Sequence, residues 1–258
     1  MDFYSASHMI FRSIQSAISP LIGTPVASKV IGNGADGAPT KYIDKIAENI
    51  AVSIIQKERL CNLLISEEAG TVEIDGEKGT IFLDPVDGTY NALMNIPFFA
   101  ISLAYAKNGV LREGFVGNLS NGDIFTARKG KGAYLNGNPI HASDVSELQA
   151  CAMSVYGKHV QYSRVIHLIQ KIRRFRQFGA SALELSYVGA GKIDGFIDLR
   201  QTIRATDAAA GILILEEAGG VVSDLEGNPL TMPDDIHIGS CLIGTNAPLH
   251  KKVIEYLR

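Results

Sequence analysis

Asp84-Pro85-Val86-Asp87-Gly88-Thr89 follows directly on Thr80-Ile81-Phe82-Leu83, a short apolar run of the kind that forms a buried strand. No other stretch constrains this chain as tightly. Two carboxylates three residues apart, across a proline-stiffened turn, can aim at one point, and the Val86 carbonyl between them offers another oxygen. Gly88 and Thr89 then supply backbone N–H groups and a hydroxyl where a phosphate could sit if a helix begins there. Every donor is a hard oxygen, which suits Mg²⁺ rather than zinc. An acidic turn that only caps a helix has the same local composition, so the motif needs company.

Two other places supply it. Leu63-Leu64-Ile65 is a second short apolar run, and it ends at Glu67-Glu68. Thr206-Asp207 opens an apolar helix, where Asp207 by itself is explained as a favourable charge at the positive end of the dipole. Each acid alone has an ordinary structural explanation. Three sets of them, each at the end of a buried element, favour one acidic cluster that binds metal.

The rest of the chain supplies a scaffold of alternating elements. Ile10, Ile14, Ile18, Leu21 and Ile22 have the spacing of a first amphipathic helix. Residues 32–40 hold three glycines and a proline and are expected to form a mobile loop that closes over the site when substrate or a further cation is present. A second helix carries Ile43, Ile46, Ala47, Ile50, Ala51 and Ile54 on one face, with Asp44 in its first turn. Residues 99–106, 110–117 and 123–127 then read as consecutive strands, and Asn136-Gly137 as a tight turn. Residues 1–147 therefore look like an α+β domain that carries most of the acids. Residues 148–258 alternate as an α/β domain. There, Ser181 and Glu184 have capping-box spacing for one helix, residues 193–199 form a strand, and Asp207 to Ala218 form a second helix stopped by Gly219-Gly220.

Composition excludes several classes. The chain has 258 residues, 46% of them hydrophobic and 20% charged, which is globular rather than disordered. A net charge of −3 gives no global field for nucleic acid or membrane, so an anionic substrate must be captured locally. Cys61, Cys151 and Cys241 are odd in number and far apart, which points to a reducing compartment and a cytoplasmic location. No apolar run has transmembrane length, and the first residues do not read as a signal peptide. The six histidines show no metal spacing.

Taken together, these blocks resemble the inositol monophosphatase / fructose-1,6-bisphosphatase superfamily. The matching segments are Ser66-Glu67-Glu68, Asp84 through Thr89, and Ala205 through Gly211 followed by Glu217-Ala218-Gly219-Gly220, in the family's order across most of the chain. Arg176 through Ala182 is similar to the segment before the family's substrate-side helix, which includes Ser181. Residues 35–41 and Asp198-Leu199-Arg200 resemble the archaeal branch, which acts on both inositol monophosphate and fructose 1,6-bisphosphate.

The resemblance implies a layered αβαβα sandwich, a homodimer, and two or three Mg²⁺ per site, with Mn²⁺ as the alternative. It carries over Glu67, Asp84, the Val86 carbonyl, Asp87 and Asp207 as metal ligands, and Gly88 and Thr89 as phosphate contacts. Asp87 and Asp207 then also face the substrate. Asp44 matches the acid that works with Thr89, beside Glu67, to activate water. One departure is the spacing of Asp36, Thr40 and Asp44, four and four where many relatives have three and three.

With no Cys-x₅-Arg loop and no obvious nucleophilic side chain, direct attack by metal-activated water is the simplest mechanism. Asp198 is a candidate acceptor for polyol hydroxyls. Arg176, Arg200 and Arg204 are candidate contacts for a second phosphate. Lys171, Arg173 and Arg174 read as a solvated face, and Tyr156 as core or pocket wall. Two rivals stand beside a sugar and polyol phosphatase: a nucleotide phosphatase of the 3′-phosphoadenosine 5′-phosphate type, and a non-catalytic binding protein on the same fold.

Overall fold

The computed structural model describes residues 1–35, 37–157, 162–230 and 238–257. Asp36, His159 and His237 lie outside the described residues. The first half opens with helix α1 (Phe3–Ile18), a hairpin of β1 (Val30–Asn33) and β2 (Pro39–Lys41), and helix α2 (Tyr42–Glu58). Strands β3 (Leu63–Ser66), β4 (Gly70–Glu73) and β5 (Thr80–Asp87), the short helix α3 (Thr89–Leu93), and strands β6 (Ala100–Lys107), β7 (Val110–Asn118), β8 (Ile124–Arg128), β9 (Ala133–Leu135) and β10 (Asn138–Ile140) follow. The eight strands β3 to β10 form one sheet in the order β10-β9-β8-β7-β6-β5-β3-β4, antiparallel except for β3 beside β5.

The second half contains β11 (Ala152–Tyr156), α4 (Tyr162–Ile169), β12 (Arg174–Arg176), α5 (Ser181–Gly189), β13 (Gly195–Ile203), α6 (Ala205–Glu217), β14 (Gly220–Ser223), β15 (Ser240–Asn246) and α7 (Ala247–Leu257). Its strands form a five-stranded sheet in the order β12-β11-β13-β15-β14. The larger sheet thus comes wholly from residues before 147, and the smaller wholly from residues after it.

The layers follow from which face each residue presents. In β5, Ile81 and Leu83 pack with α1 and α2 through Ile10, Ile14, Ile43 and Ala47, while Phe82 packs on the other face with Ala209, Leu213 and Ile214 of α6. Alternate residues of one strand therefore fill two different cores, which is why the run is continuously apolar. The smaller sheet repeats the arrangement. Phe196 of β13 meets Leu185, Ala208 and Leu215, and its neighbour Ile197 meets Leu168 and Val253 on the outer side. Helices α5 and α6 lie between the sheets and are apolar almost all round. Their crossing is close: a Cβ on Gly211 would sit 2.7 Å from Leu185 Cβ. The order is helices, sheet, helices, sheet, helices, the αβαβα sandwich that the resemblance implies.

Three local expectations need correction. The first helix stops at Ile18, and Leu21 falls in a 3₁₀ turn, because Pro20 cannot continue the ladder. On α2 the fully buried face holds Ile55 rather than Ile54, and it includes two acids, Asp44 and Glu48. Ser181 is the first residue of α5, not its cap: Ala180 precedes it with no side-chain cap bond. Among the described residues no helix is long and apolar enough to cross a membrane.

Candidate active site

In a regular strand, residues three apart point to opposite faces. Asp84 and Asp87 escape this because β5 bulges between them. Asp84 lies opposite Ser102 and Asp87 opposite Ala100, so three steps on one strand face two on the other. Pro85, which has no N–H for the ladder, sits inside the bulge, where its loss costs nothing. Val86 N–H turns inward and donates to Asp84 Oδ1 at 3.0 Å. Both aspartates are buried. Gly88 then turns the chain with φ +91°, and a Cβ there would press on Ala180 Cβ, Gly179 O and Phe98 O, each at 3.1 Å. The bulged strand and the start of α5 are thus in close contact.

That contact accounts for Asp87. Its Oδ1 accepts from Ser181 N at 2.9 Å, and its Oδ2 from Ala182 N at 2.8 Å and Leu183 N at 3.4 Å. A carboxylate from the first half therefore takes up the free amides at the N-terminus of a second-half helix. Glu184 completes the set, since its Oε1 accepts from Gly179 N at 3.0 Å and from Tyr156 Oη at 2.6 Å.

Glu67 and Asp207 meet at Arg204. This arginine donates from Nη2 to Glu67 Oε1 at 2.6 Å and to Asp207 Oδ1 at 2.9 Å, and from Nε to Asp207 Oδ2 at 3.1 Å. As arranged, Arg204 is therefore engaged by the acids rather than open to a distal phosphate. It sits at the N-terminal boundary of α6, and its guanidinium is committed to the acids. Asp44 and Thr89 also come together: Thr89 Oγ1 lies 3.0 Å from Asp44 Oδ1 and 3.1 Å from Val86 O. Thr40 donates from its hydroxyl to Glu68.

The electrostatics reflect crowding. Burial first, and then the charges of Glu67, Asp87 and Asp207, push the Asp84 carboxyl well above the carboxylate range. Asp87 is raised by burial and by Asp207, with the α5 amides opposing. Burial likewise raises Glu67, and Arg204 works against it. Asp44 is pushed up to about 7, by burial and then by Glu68 and Glu67, against the bond from Thr89. One guanidinium does not neutralise this many carboxylates. The donor set, carboxylates plus the Val86 carbonyl, fits a hard divalent cation. As arranged, however, no three of the described carboxylates surround one point closely enough to hold one. Arg204 and the α5 amides instead take up their oxygens.

On the substrate side the expected residues separate. Arg200 forks onto both oxygens of the fully buried Asp198, and its guanidinium lies 4.5 Å from the centre of the Tyr156 ring. Asp198 is thereby occupied by a protein partner. Arg176 is exposed on the edge strand β12 and donates to Phe175 O at 2.9 Å. Sequence reasoning missed Glu48, which accepts from Ser66 Oγ at 2.8 Å and Ala69 N at 3.0 Å and whose carboxyl burial raises to about 7. Its place at i+4 from Asp44 was a usable signal. It read Glu184 only as a capping residue and missed its burial, although helical spacing from apolar neighbours marks it as inward-facing.

Known proteins share this architecture. The inositol monophosphatase family model matches residues 11–258. A fructose-1,6-bisphosphatase/inositol-1-monophosphatase of Methanothermobacter thermautotrophicus is 40% identical over 261 residues, covering 95% of this chain and 93% of that protein. A bifunctional NADP phosphatase/NAD kinase of Methanococcus maripaludis is 36% identical, covering 98% of this chain and 49% of that protein. The crystal structure of an inositol monophosphatase-fructose 1,6 bisphosphatase superposes with a TM-score of 0.92 at 30% identity, over 100% of both chains.

Proposed function

The chain belongs to the inositol monophosphatase family and is a phosphoric monoester hydrolase, and we propose that it acts on inositol 1-phosphate and fructose 1,6-bisphosphate. The observation that carries the reading is the bulge that turns Asp84 and Asp87 to one side of β5, within electrostatic reach of Glu67 and Asp207 and with the Asp44–Thr89 pair beside Val86. Glu67, Asp84, the Val86 carbonyl, Asp87 and Asp207 are the residues that would hold divalent cations, Mg²⁺ before Mn²⁺. Such ions supply Lewis acidity: they make water nucleophilic near neutral pH and offset phosphoryl charge.

The chain's own groups do the rest. Backbone N–H groups at Gly88 and Thr89 bind the phosphate. Asp44, with its carboxyl near 7, accepts a proton passed through the Thr89 hydroxyl, as suits a general base at neutral pH. Of the candidates Arg176, Arg200 and Arg204, the exposed Arg176 is the one without a carboxylate partner within hydrogen-bond distance among the described residues, and it is assigned the distal phosphate. Ser181 and the start of α5 lie beside Asp87 and would form the polyol side. Free cysteines, two of them buried, support a reducing cytoplasm, and a homodimer that binds neither nucleic acid nor membrane belongs to the same reading.

Phosphate release from inositol 1-phosphate, fructose 1,6-bisphosphate, 3′-phosphoadenosine 5′-phosphate and NADP tests it. Turnover of the first two is expected. Turnover confined to the nucleotides would replace the reading with a nucleotide phosphatase, for which the NADP phosphatase relative is the precedent.

A further inference from the structure

Asp207 has no oxygen free of Arg204. Its Oδ1 accepts from Arg204 Nη2, and its Oδ2 accepts from both the backbone N and Nε of the same residue. Through Nη2 the arginine also reaches Glu67, at the end of β3, so one guanidinium ties together acids from two layers of the sandwich. The three groups are largely shielded, with side-chain exposures of 16% for Arg204, 24% for Glu67 and 15% for Asp207. Charge-assisted bonds in such a place are strong, and an oxygen engaged in one has to share or exchange it before it ligates a metal.

We propose that Arg204 is a built-in counter-cation of the acidic cluster, which competes with the divalent ion for Glu67 and Asp207 and so sets the affinity of the metal site. The inference rests on the reading of these two acids as ligands. Arginine suits the task. It cannot deprotonate, it forks onto two carboxylates at once, and as a side chain it can swing aside without disturbing the backbone of α6. While the ion is absent it offsets the repulsion among Glu67, Asp84, Asp87 and Asp207. When the ion arrives, the arginine's attraction must be given up. A site built this way binds metal more weakly than its carboxylates alone would, and it stays folded when metal is scarce.

Calorimetric titration with Mn²⁺, together with thermal melting in chelator and in saturating Mg²⁺, tests this without reading activity. Arg204→Gln is expected to bind Mn²⁺ about tenfold tighter or more, the scale of one lost charge-assisted bond. It is also expected to melt lower than the parent in chelator and much closer to it in Mg²⁺. Equal or weaker Mn²⁺ binding by the folded variant overturns the proposal and leaves Arg204 as an orienting group for the ligands. If Arg204→Gln does not fold, Arg204→Met is read instead. It removes the charge and keeps an apolar stem, and an affinity at or below the parent's overturns the proposal. Glu67→Gln separates the underlying assignment: unchanged Mn²⁺ binding there removes Glu67 as a ligand, whereas weakened binding keeps the assignment and leaves only the competition in question.

Discussion

Asp87 is held by peptide N–H groups, whereas Glu67 is held by a guanidinium and Asp207 by that same guanidinium together with one peptide N–H. The two arms of the acidic cluster therefore respond differently to disturbance. The amides that grip Asp87 belong to the first turn of α5 and cannot leave without unwinding a helix packed between two sheets. The arginine that grips Asp207 can rotate away. The amide-held arm is fixed by the fold, and the cation-held arm is adjustable. A site that must admit and release ions gains from having one arm of each kind.

The strongest way to break this contrast is Asp87→Asn. The amide oxygen still accepts from α5 on one side, while the new NH2 loses the acceptor role on the other, so the fold should survive at reduced stability, but the anionic ligand is lost. Phosphate release at saturating Mg²⁺ is expected to fall by about a thousandfold or more, as removal of several kcal/mol of transition-state stabilisation requires. Near-normal turnover would remove Asp87 from the metal site and leave it a helix cap.

Thr89→Ala and Asp44→Asn come next, with losses of about a hundredfold or more in kcat, the lower range for a general base. The double variant should be little worse than either single one, because the two side chains act through one hydrogen bond. Additive losses would mean that they work separately.

A smaller effect sharpens the comparison on the substrate side. Arg176→Ala is expected to lower kcat/KM for fructose 1,6-bisphosphate by about ten- to a hundredfold and to spare inositol 1-phosphate, since one charge-assisted contact contributes roughly 1.5–3 kcal/mol. Arg200→Ala should weaken both substrates and also destabilise the fold, because it leaves Asp198 buried without its partner. Selective loss with Arg200→Ala alone would reverse the assignment.

The smallest effect is on stability against pH in chelator. Asp44 and Glu48 are both pushed up to about 7, mainly by burial, from ordinary values of 3.8 and 4.5. Between those limits the folded chain binds protons that the unfolded chain releases. The stability they contribute is full below about 4 and is lost as pH rises through 7. The melting temperature should fall across that window, and Asp44→Asn should flatten the fall. A melting temperature that rises with pH would contradict the burial of these acids.

Much of this protein was legible because it is local. A buried strand ending in Asp84-Pro85-Val86-Asp87-Gly88-Thr89, acids closing a second strand, and an alanine-rich helix opening on Asp207 are written in consecutive residues. Their order along the chain carries the family resemblance, and with it the five layers. The limits of that reading are equally specific. Helical periodicity ran past Ile18 because it does not register how far a proline's effect extends. Glu48 passed unnoticed and Glu184 was read only as a capping residue, because an acid's burial depends on what packs over it, and their partners lie on other elements.

Spacing alone places Asp84 and Asp87 on opposite faces of a strand, and only the register of β5 against β6 shows the extra residue that reverses this. The charge on Arg204 is plain in the sequence, but its direction is not. A long side chain at the start of α6 can reach solvent, a substrate or the acids, and the choice falls to the nearest uncompensated charge in a shielded space. That charge is Glu67, 137 positions away in the chain and brought within 2.6 Å by the stacking of one layer on another. The sequence by itself determined which chemical groups are present and which local elements carry them. The tertiary structure decided which charges meet, because electrostatic partnership depends on distance and burial, and both are properties of the packed layers.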